Sequence, residues 1–314
     1  MRQAALIYNP ISGQHSGRRR AALAAVVAAL EAGGVEVRAL ETTGPGTAAA
    51  LAREASVEGA DTVVVCGGDG TVHHALQGLV GTGTALGVVP FGTANALAAS
   101  LGLAGDPARA AAKLLDAEPE RVPVGRIRYQ NRRGELVERF FLVAAGVGPD
   151  AQLMVEMDPG LKRRLGYLLY IVDGFRIWAG GRFPLFSVRV GVGEEGRILR
   201  ASQLLAVRVH SFGGALGALV PGASLRSDKL HLLAFTTQSR WEYLRFVVGA
   251  AMGRHPFGAS VELIETDQIE CVACEEASEQ LRTEADGEPL GTLPVRMDVV
   301  PEALTLLVPR GAEA

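Results

Sequence analysis

The chain has 314 residues, 48% of them hydrophobic, and a formal net charge of −3 at pH 7. That length favours two domains over one, and the apolar content is ample for buried cores and excludes a disordered chain. The charge balance excludes an electrostatic footprint for nucleic acid; the exception, Arg18, Arg19 and Arg20, reads as a solvated helix face or as a basic mouth for phosphates.

The amino end runs directly into a strand pattern without the basic, apolar and small-residue succession of a leader. The apolar run AALAAVVAAL stops after ten residues at Glu31, short of the roughly 18 a membrane helix needs. Both point to a cytosolic protein. Three cysteines fit a reduced compartment, and the lone CVAC of Cys271 and Cys274 lacks a second pair at zinc spacing, so these read as core or strand residues.

In chain order, AALIYN, VEVRALET, TVVVC and ALGVVP read as short buried strands. Between them GRRRAALAAVVAALEAGG, GTAAALAREASVEG and TVHHALQGLVG read as helices, and NALAASLG follows the last strand. Such alternation predicts βαβ units with a parallel sheet, whose ligands gather beyond the carboxyl ends of the strands. After about residue 120 the period changes. RVPVGRIRYQ, ELVERFFLVAAGVG, LFSVRVGV, RILRASQLLAVRVH and KLHLLAFTT are strand-like, interrupted by helical segments near 150–180 and 239–253. The expected organisation is an α/β parallel-sheet nucleotide domain over 1–121 and a β-sandwich domain over 122–314. LTLLVP at the end is able to return to either domain.

Every glycine-rich turn, NPISG, CGGDGT and PFGTAN, falls at a carboxyl end of a predicted parallel strand. Glycines let the backbone approach a polyphosphate, and the free N–H groups at the next helix start face its charge. Asp69 repels phosphate, so it needs a cation to hold or a proton to accept. Its plainer role is to cap the helix. Three such turns together favour a nucleotide. Neither GxxxxGK[ST] nor an opening GxGxxG is present. Thr71, Thr93, Asn95 and Asn9 are the natural side-chain donors near phosphates, although capping or turn-making is the commoner role of each. The far turn DGE, Asp286 to Glu288, reads on spacing alone as a plain turn with solvated carboxylates.

Taken together, YNPISG, GGDGTVHHALQGL, PFGTANALAASLG, AAGVGPDAQL, LRSDKLHLLAF and EADGEPL resemble, in order and spacing, the soluble diacylglycerol kinase catalytic-domain family, which includes sphingosine, ceramide and bacterial lipid kinases. The resemblance runs nearly the whole chain and implies a site in a cleft between an α/β domain and a β-sandwich. It implies ATP-dependent phosphorylation of a lipid hydroxyl. It aligns Thr42, the loop Gly67, Gly68, Asp69, Gly70, Thr71, Val72 and His73, and Thr93 with nucleotide contacts. Asp69 aligns with an essential aspartate and Glu288 with a general base. Asp228, with the backbone around Leu225 and Leu230, aligns with a Mg²⁺ site. Ser227 and Lys229 flank Asp228 where a glycine is usual. His74, Gln77 and Ala96 also depart from the family pattern, standing where glutamate, asparagine and often aspartate occur.

The implied reaction is in-line transfer of the γ-phosphate of ATP to a primary hydroxyl, with Mg²⁺ and the glycine turns holding the triphosphate. Glu288, or Asp69 in the alternative, accepts the hydroxyl proton. A lipid substrate implies transient, peripheral contact with a membrane surface. Tyr170, Phe175 and Trp178 are candidates to line its groove, against the plainer reading of a buried helix. Two rivals share parts of this pattern: an NAD kinase, through GGDG, and a lipid- or nucleotide-binding protein without turnover, through His74 and Ala96.

Overall fold

A computed structural model describes residues 1–11, 16–131, 133–148, 183–191, 196–212, 219–254, 257–274 and 281–312. The expected helix near 150–180, with Tyr170, Phe175 and Trp178, and part of the NPISG turn lie outside them. The chain divides into two units, Met1–Val124 with Pro301–Ala314, and Gly125–Val300. No helix among the described residues is long and apolar enough to cross a membrane.

In the first unit β1 (Gln3–Tyr8), β2 (Glu36–Glu41), β3 (Thr62–Gly67) and β4 (Ala85–Pro90) alternate with α1 (Ser16–Ala32), α2 (Thr47–Val57) and α3 (Asp69–Leu79). The strands pair in parallel in the order β4-β3-β1-β2. Reversal of direction after β2 sends α1 to one face and α2 and α3 to the other, because such crossovers are right-handed. Accordingly α2 packs on α3, while α1 packs on α5 (Pro107–Leu115). Gly78 makes the first pairing possible, since a Cβ there would lie 2.2 Å from the Ala49 carbonyl oxygen.

All of β3 and β4 is buried, as continuous apolar runs between two helical layers require. The expectation of a buried strand fails at β2, none of whose residues is buried. Among the described residues it pairs only with β1, and its charges Glu36, Arg38 and Glu41 suit an edge. Helix α5 was not among the expected elements. It starts on Asp106, whose carboxylate accepts the Arg109 N–H at 2.9 Å, with Pro107 in the first turn. A short helix, α4 (Ala96–Ser100), precedes it.

The second unit is antiparallel. Its strands are β6 (Leu136–Phe141), β7 (Ala144–Val147), β8 (Phe186–Val190), β9 (Arg197–Ala201), β10 (Gln203–Val207), β11 (Leu230–Phe235), β12 (Val261–Thr266), β13 (Gln268–Ala273) and β14 (Arg282–Ala285). One helix, α6 (Arg240–Ala251), is described there. Two strands, β5 (Glu118–Gln130) and β15 (Glu288–Val308), carry the chain across the division between the units. The path β12-β11-β10-β7-β14-β15 forms one run, and β13, β8 and β9 another. Leu293, Val295 and Met297 on β15 are buried in alternation, and pack with Phe141, Phe186, Leu204 and Leu232 in a common core. The stretches read as single strands at 135–148 and 197–210 are each two strands, broken at Leu142–Val143 and at Ser202. Ser202 explains its break: its buried hydroxyl lies 2.7 Å from the Tyr243 hydroxyl and donates to the Phe235 carbonyl at 3.2 Å.

The last part of β15 belongs to the first unit, where Thr305 and Leu306 pair in parallel with Ala85 and Leu86. Arg121 fastens it there, donating to Thr82 O at 2.9 Å, to Thr305 Oγ1 at 3.1 Å and to the Glu302 carbonyl.

Candidate functional site

Strand register brings the first unit's candidates to one sheet edge. Tyr8 is level with Glu41 on one side and Cys66 on the other, and Gly67 is level with Pro90. The next residues, Asn9, Thr42, Gly68 and Phe91, therefore emerge side by side at the carboxyl ends, where β1 and β3 diverge to opposite crossovers. Open α/β sheets bind ligands at such a switch point.

Two glycine turns meet there backbone to backbone. A Cβ on Gly92 would lie 2.5 Å from Gly68 Cα, and one on Gly68 would lie 3.2 Å from Gly92 Cα. No side chain fits between them. Asn95 holds the second turn: Gly92 N–H donates to its Oδ1, and its Nδ2 donates to the Gly92 carbonyl, both at 2.8 Å. This amide clamp needs Asn95 in the left-handed region, at φ 50°, which asparagine tolerates. Thr93 is exposed on the turn. Gly67 has a separate reason, because its Cβ would lie 2.5 Å from Thr71 Cβ. Asn9 accepts the Ile11 N–H at 3.0 Å, making the turn after β1, and the Thr42 N–H donates to Tyr8 O at 2.9 Å.

Helix α3 begins on Gly68, whose place no side chain caps, and Asp69 is the acidic residue of its first turn. Gly68, Asp69 and Gly70 are partly exposed, while Thr71, Val72 and His73 are buried. The amino-terminal end of a helix carries partial positive charge from aligned peptide dipoles, which stabilises both Asp69 and any anion brought to it. His74 meets His73 edge-on, with ring centroids 5.7 Å apart, and Gln77 Nε2 donates to the His73 carbonyl at 2.9 Å. Ala96 is buried at the start of α4.

In the second unit, Asp286 and Gly287 form a two-residue turn joining β14 to β15, with φ of 50° and 81° and Ala285 paired with Glu288. That is the Asp-Gly hairpin geometry matched to strand twist. The expectation of solvated carboxylates is corrected at Asp286. Its Oδ1 accepts the N–H groups of Val143 at 2.8 Å and Ala144 at 3.1 Å, and its Oδ2 that of Leu142 at 3.1 Å. Glu284, 5% exposed, accepts the Gly287 N–H at 2.7 Å. Two carboxylates that spacing did not single out thus brace the hairpin that carries Glu288, which remains partly exposed.

Leu225 and Asp228 lie between β10 and β11, and Leu230 opens β11; Leu225 and Leu230 are fully buried and Asp228 is exposed. Beside them is Arg208, 0% exposed. Its Nη2 donates to Leu225 O at 3.2 Å and Ser227 O at 3.0 Å, and its Nη1 to Lys229 O at 3.4 Å. Burial pushes the guanidinium down to about 10, opposed by the charges of Asp228 and Asp286, so it stays protonated at neutral pH. A lone arginine just past an apolar strand carries no periodic signal, which is why the sequence does not reveal it.

The diacylglycerol kinase catalytic domain model matches residues 3–127, and that of the YegS C-terminal NAD kinase beta sandwich-like domain matches residues 142–308. A diacylglycerol kinase of Bacillus subtilis (strain 168) is 27% identical over 298 residues, 94% of this chain and 92% of the relative. One of Mycobacterium tuberculosis is 30% identical over 303 residues, 96% of this chain and 94% of the relative. The crystal structure of a Bacillus anthracis diacylglycerol kinase superposes with a TM-score of 0.71 at 18% identity, covering 99% of this chain and 98% of that one, which shows a shared fold. The α/β first unit with its paired glycine turns and the antiparallel second unit thus correspond to two matched domains, and the chain belongs to the diacylglycerol kinase catalytic-domain family.

Proposed function

We propose that the protein is an ATP-dependent lipid kinase that transfers the γ-phosphoryl group of ATP to a hydroxyl of a lipid such as diacylglycerol. The observation that carries the proposal is the backbone apposition of Gly68 and Gly92 beside the start of α3. Such a surface has amide donors and no side chain in the way, which suits the close approach of phosphate oxygens. The relatives named diacylglycerol kinase supply the acceptor class.

In this mechanism ATP enters with its Mg²⁺ as substrate. The turns at 67–73 and 92–95 hold the phosphates through backbone N–H groups, with Thr42, Thr71 and Thr93 as hydroxyl donors and Asn9 shaping the first turn. Asp69 orients the cation that travels with the phosphates. The lipid hydroxyl oxygen attacks γ-phosphorus in line as the bond to the β,γ-bridging oxygen breaks. ADP leaves, and Glu288 takes the hydroxyl proton. Most of the acceleration then comes from positioning and charge stabilisation, and the proton acceptor adds about 10²–10⁴-fold.

The test is transfer of labelled γ-phosphate to mixed-lipid vesicles, with NAD also present, by wild type, Asp69→Asn and Glu288→Gln. A labelled lipid from wild type is expected, with kcat falling at least about 10²-fold in each variant. Label appearing in NADP rather than lipid would support the NAD kinase alternative. ATP binding without any transfer would support a binding protein.

A further inference from the structure

Among the described residues no group of three or more histidine, cysteine, aspartate or glutamate side chains is placed to hold a metal. A divalent ion at the 225–230 loop would therefore depend on Asp228 and on backbone oxygens, as the family resemblance implies. Those oxygens already face a cation. The Arg208 guanidinium reaches the carbonyls of Leu225, Ser227 and Lys229 at 3.2, 3.0 and 3.4 Å. The three belong to alternate residues, so one planar donor group gathers the loop as a small ion gathers oxygen ligands.

A metal on the Leu225 oxygen at the usual 2.0–2.6 Å would stand no more than about 6 Å from the Arg208 nitrogen that binds the same oxygen. Charges of +2 and +1 at that separation, with the arginine fully buried, repel strongly. The loop has the wrong charge for a second cation and the right one for the arginine it contains: Asp228 and Asp286 both act on Arg208 with favourable sign.

We propose that Arg208 is a built-in cation that takes the place of a divalent metal at the 225–230 loop, so that this part of the second unit folds without metal. The arginine backbone is tied to the same neighbourhood, its N–H donating to Val143 O at 2.9 Å beside the amides held by Asp286. The guanidinium therefore joins the loop to the hairpin support that carries Glu288. A divalent ion bound here would also be lost to chelators, whereas the arginine is covalently part of the chain.

The test is thermal unfolding of the ATP-free, full-length protein in EDTA and in excess Mg²⁺ or Mn²⁺, with Mn²⁺ binding followed by electron paramagnetic resonance. Wild type is expected to unfold at one temperature in both, and Asp228→Asn to remove no Mn²⁺ binding. Arg208→Met keeps the volume and removes the charge. It should unfold at least about 5 °C lower in EDTA, and Mg²⁺ should restore part of the loss only while Asp228 is intact, because a ligand of the folded state alone raises its stability. A Mg²⁺-dependent rise in wild type that Asp228→Asn abolishes would overturn the proposal. So would an Arg208→Met protein as stable as wild type in EDTA. If Arg208→Met does not fold, wild type against Asp228→Asn decides the question alone.

Discussion

Gly92→Ala is the sharpest perturbation of the proposed phosphate cradle. The added methyl would stand 2.5 Å from Gly68 Cα and 2.8 Å from Asn95 Oδ1. Carbon atoms in ordinary contact are about 3.5–4.0 Å apart, so the two turns must separate by roughly 1 Å or more. The neighbour is backbone at the end of a buried strand, and no rotamer change relieves the contact. Misplacement by about 1 Å costs a positioning-dependent reaction on the order of 10²-fold, or about 2.7 kcal/mol of transition-state stabilisation. Overpacking costs about 1–3 kcal/mol of stability, so the enzyme should remain folded under assay conditions. The assay is kcat and KM for ATP at saturating lipid vesicles, with a thermal melt on the same sample. Gly17→Ala is the control, since nothing lies within 4 Å of its added methyl and the site is exposed. A folded Gly92→Ala protein with wild-type kcat/KM for ATP would refute the cradle.

Three further outcomes are expected. Asp286→Ala strands three amide donors and should lower unfolding free energy by at least about 2 kcal/mol in urea titration; Asp286→Asn should lose less, and a change below about 0.5 kcal/mol would remove the bracing role. His231 is held below its ordinary value by burial, with Arg208 and Lys229 adding to the effect and Glu265 opposing it. The unfolded chain then binds a proton that the folded one does not, so stability present above about pH 6.5 declines as pH falls through that value. His231→Gln should flatten this slope, and an unchanged slope would contradict the assignment. Burial pushes the Cys66 and Cys271 thiols up, whereas Cys274 is partly exposed. A thiol reagent should thus titrate one cysteine of the native protein and three after unfolding; a second fast thiol would count against the burial.

The local chemistry is legible residue by residue. Short apolar runs alternating with helical stretches specify the parallel α/β unit, because each period fits only one kind of element. Glycine at 68 and 92 and Asp-Gly at 286–287 mark backbone that side chains cannot enter or that needs positive φ, and these restrictions are visible residue by residue. Departures from that reading have a common cause. VEVRALET is apolar enough for a buried strand, but exposure depends on having one strand neighbour or two, which sheet order decides. Apolar runs at 135–148 and 197–210 conceal their breaks, since nothing local distinguishes a buried serine that turns the chain from one that does not.

What the polar groups do depends on the folded chain. Asp286 is an unremarkable turn residue until β7 and the residues before it bring three amides to it from more than 140 positions away. Arg208 is one charge just past an apolar strand until the loop seventeen to twenty-one residues later supplies its acceptors. Hydrogen bonds and charges act over a few ångströms, and at that range the partner is chosen by chain folding, not by sequence distance.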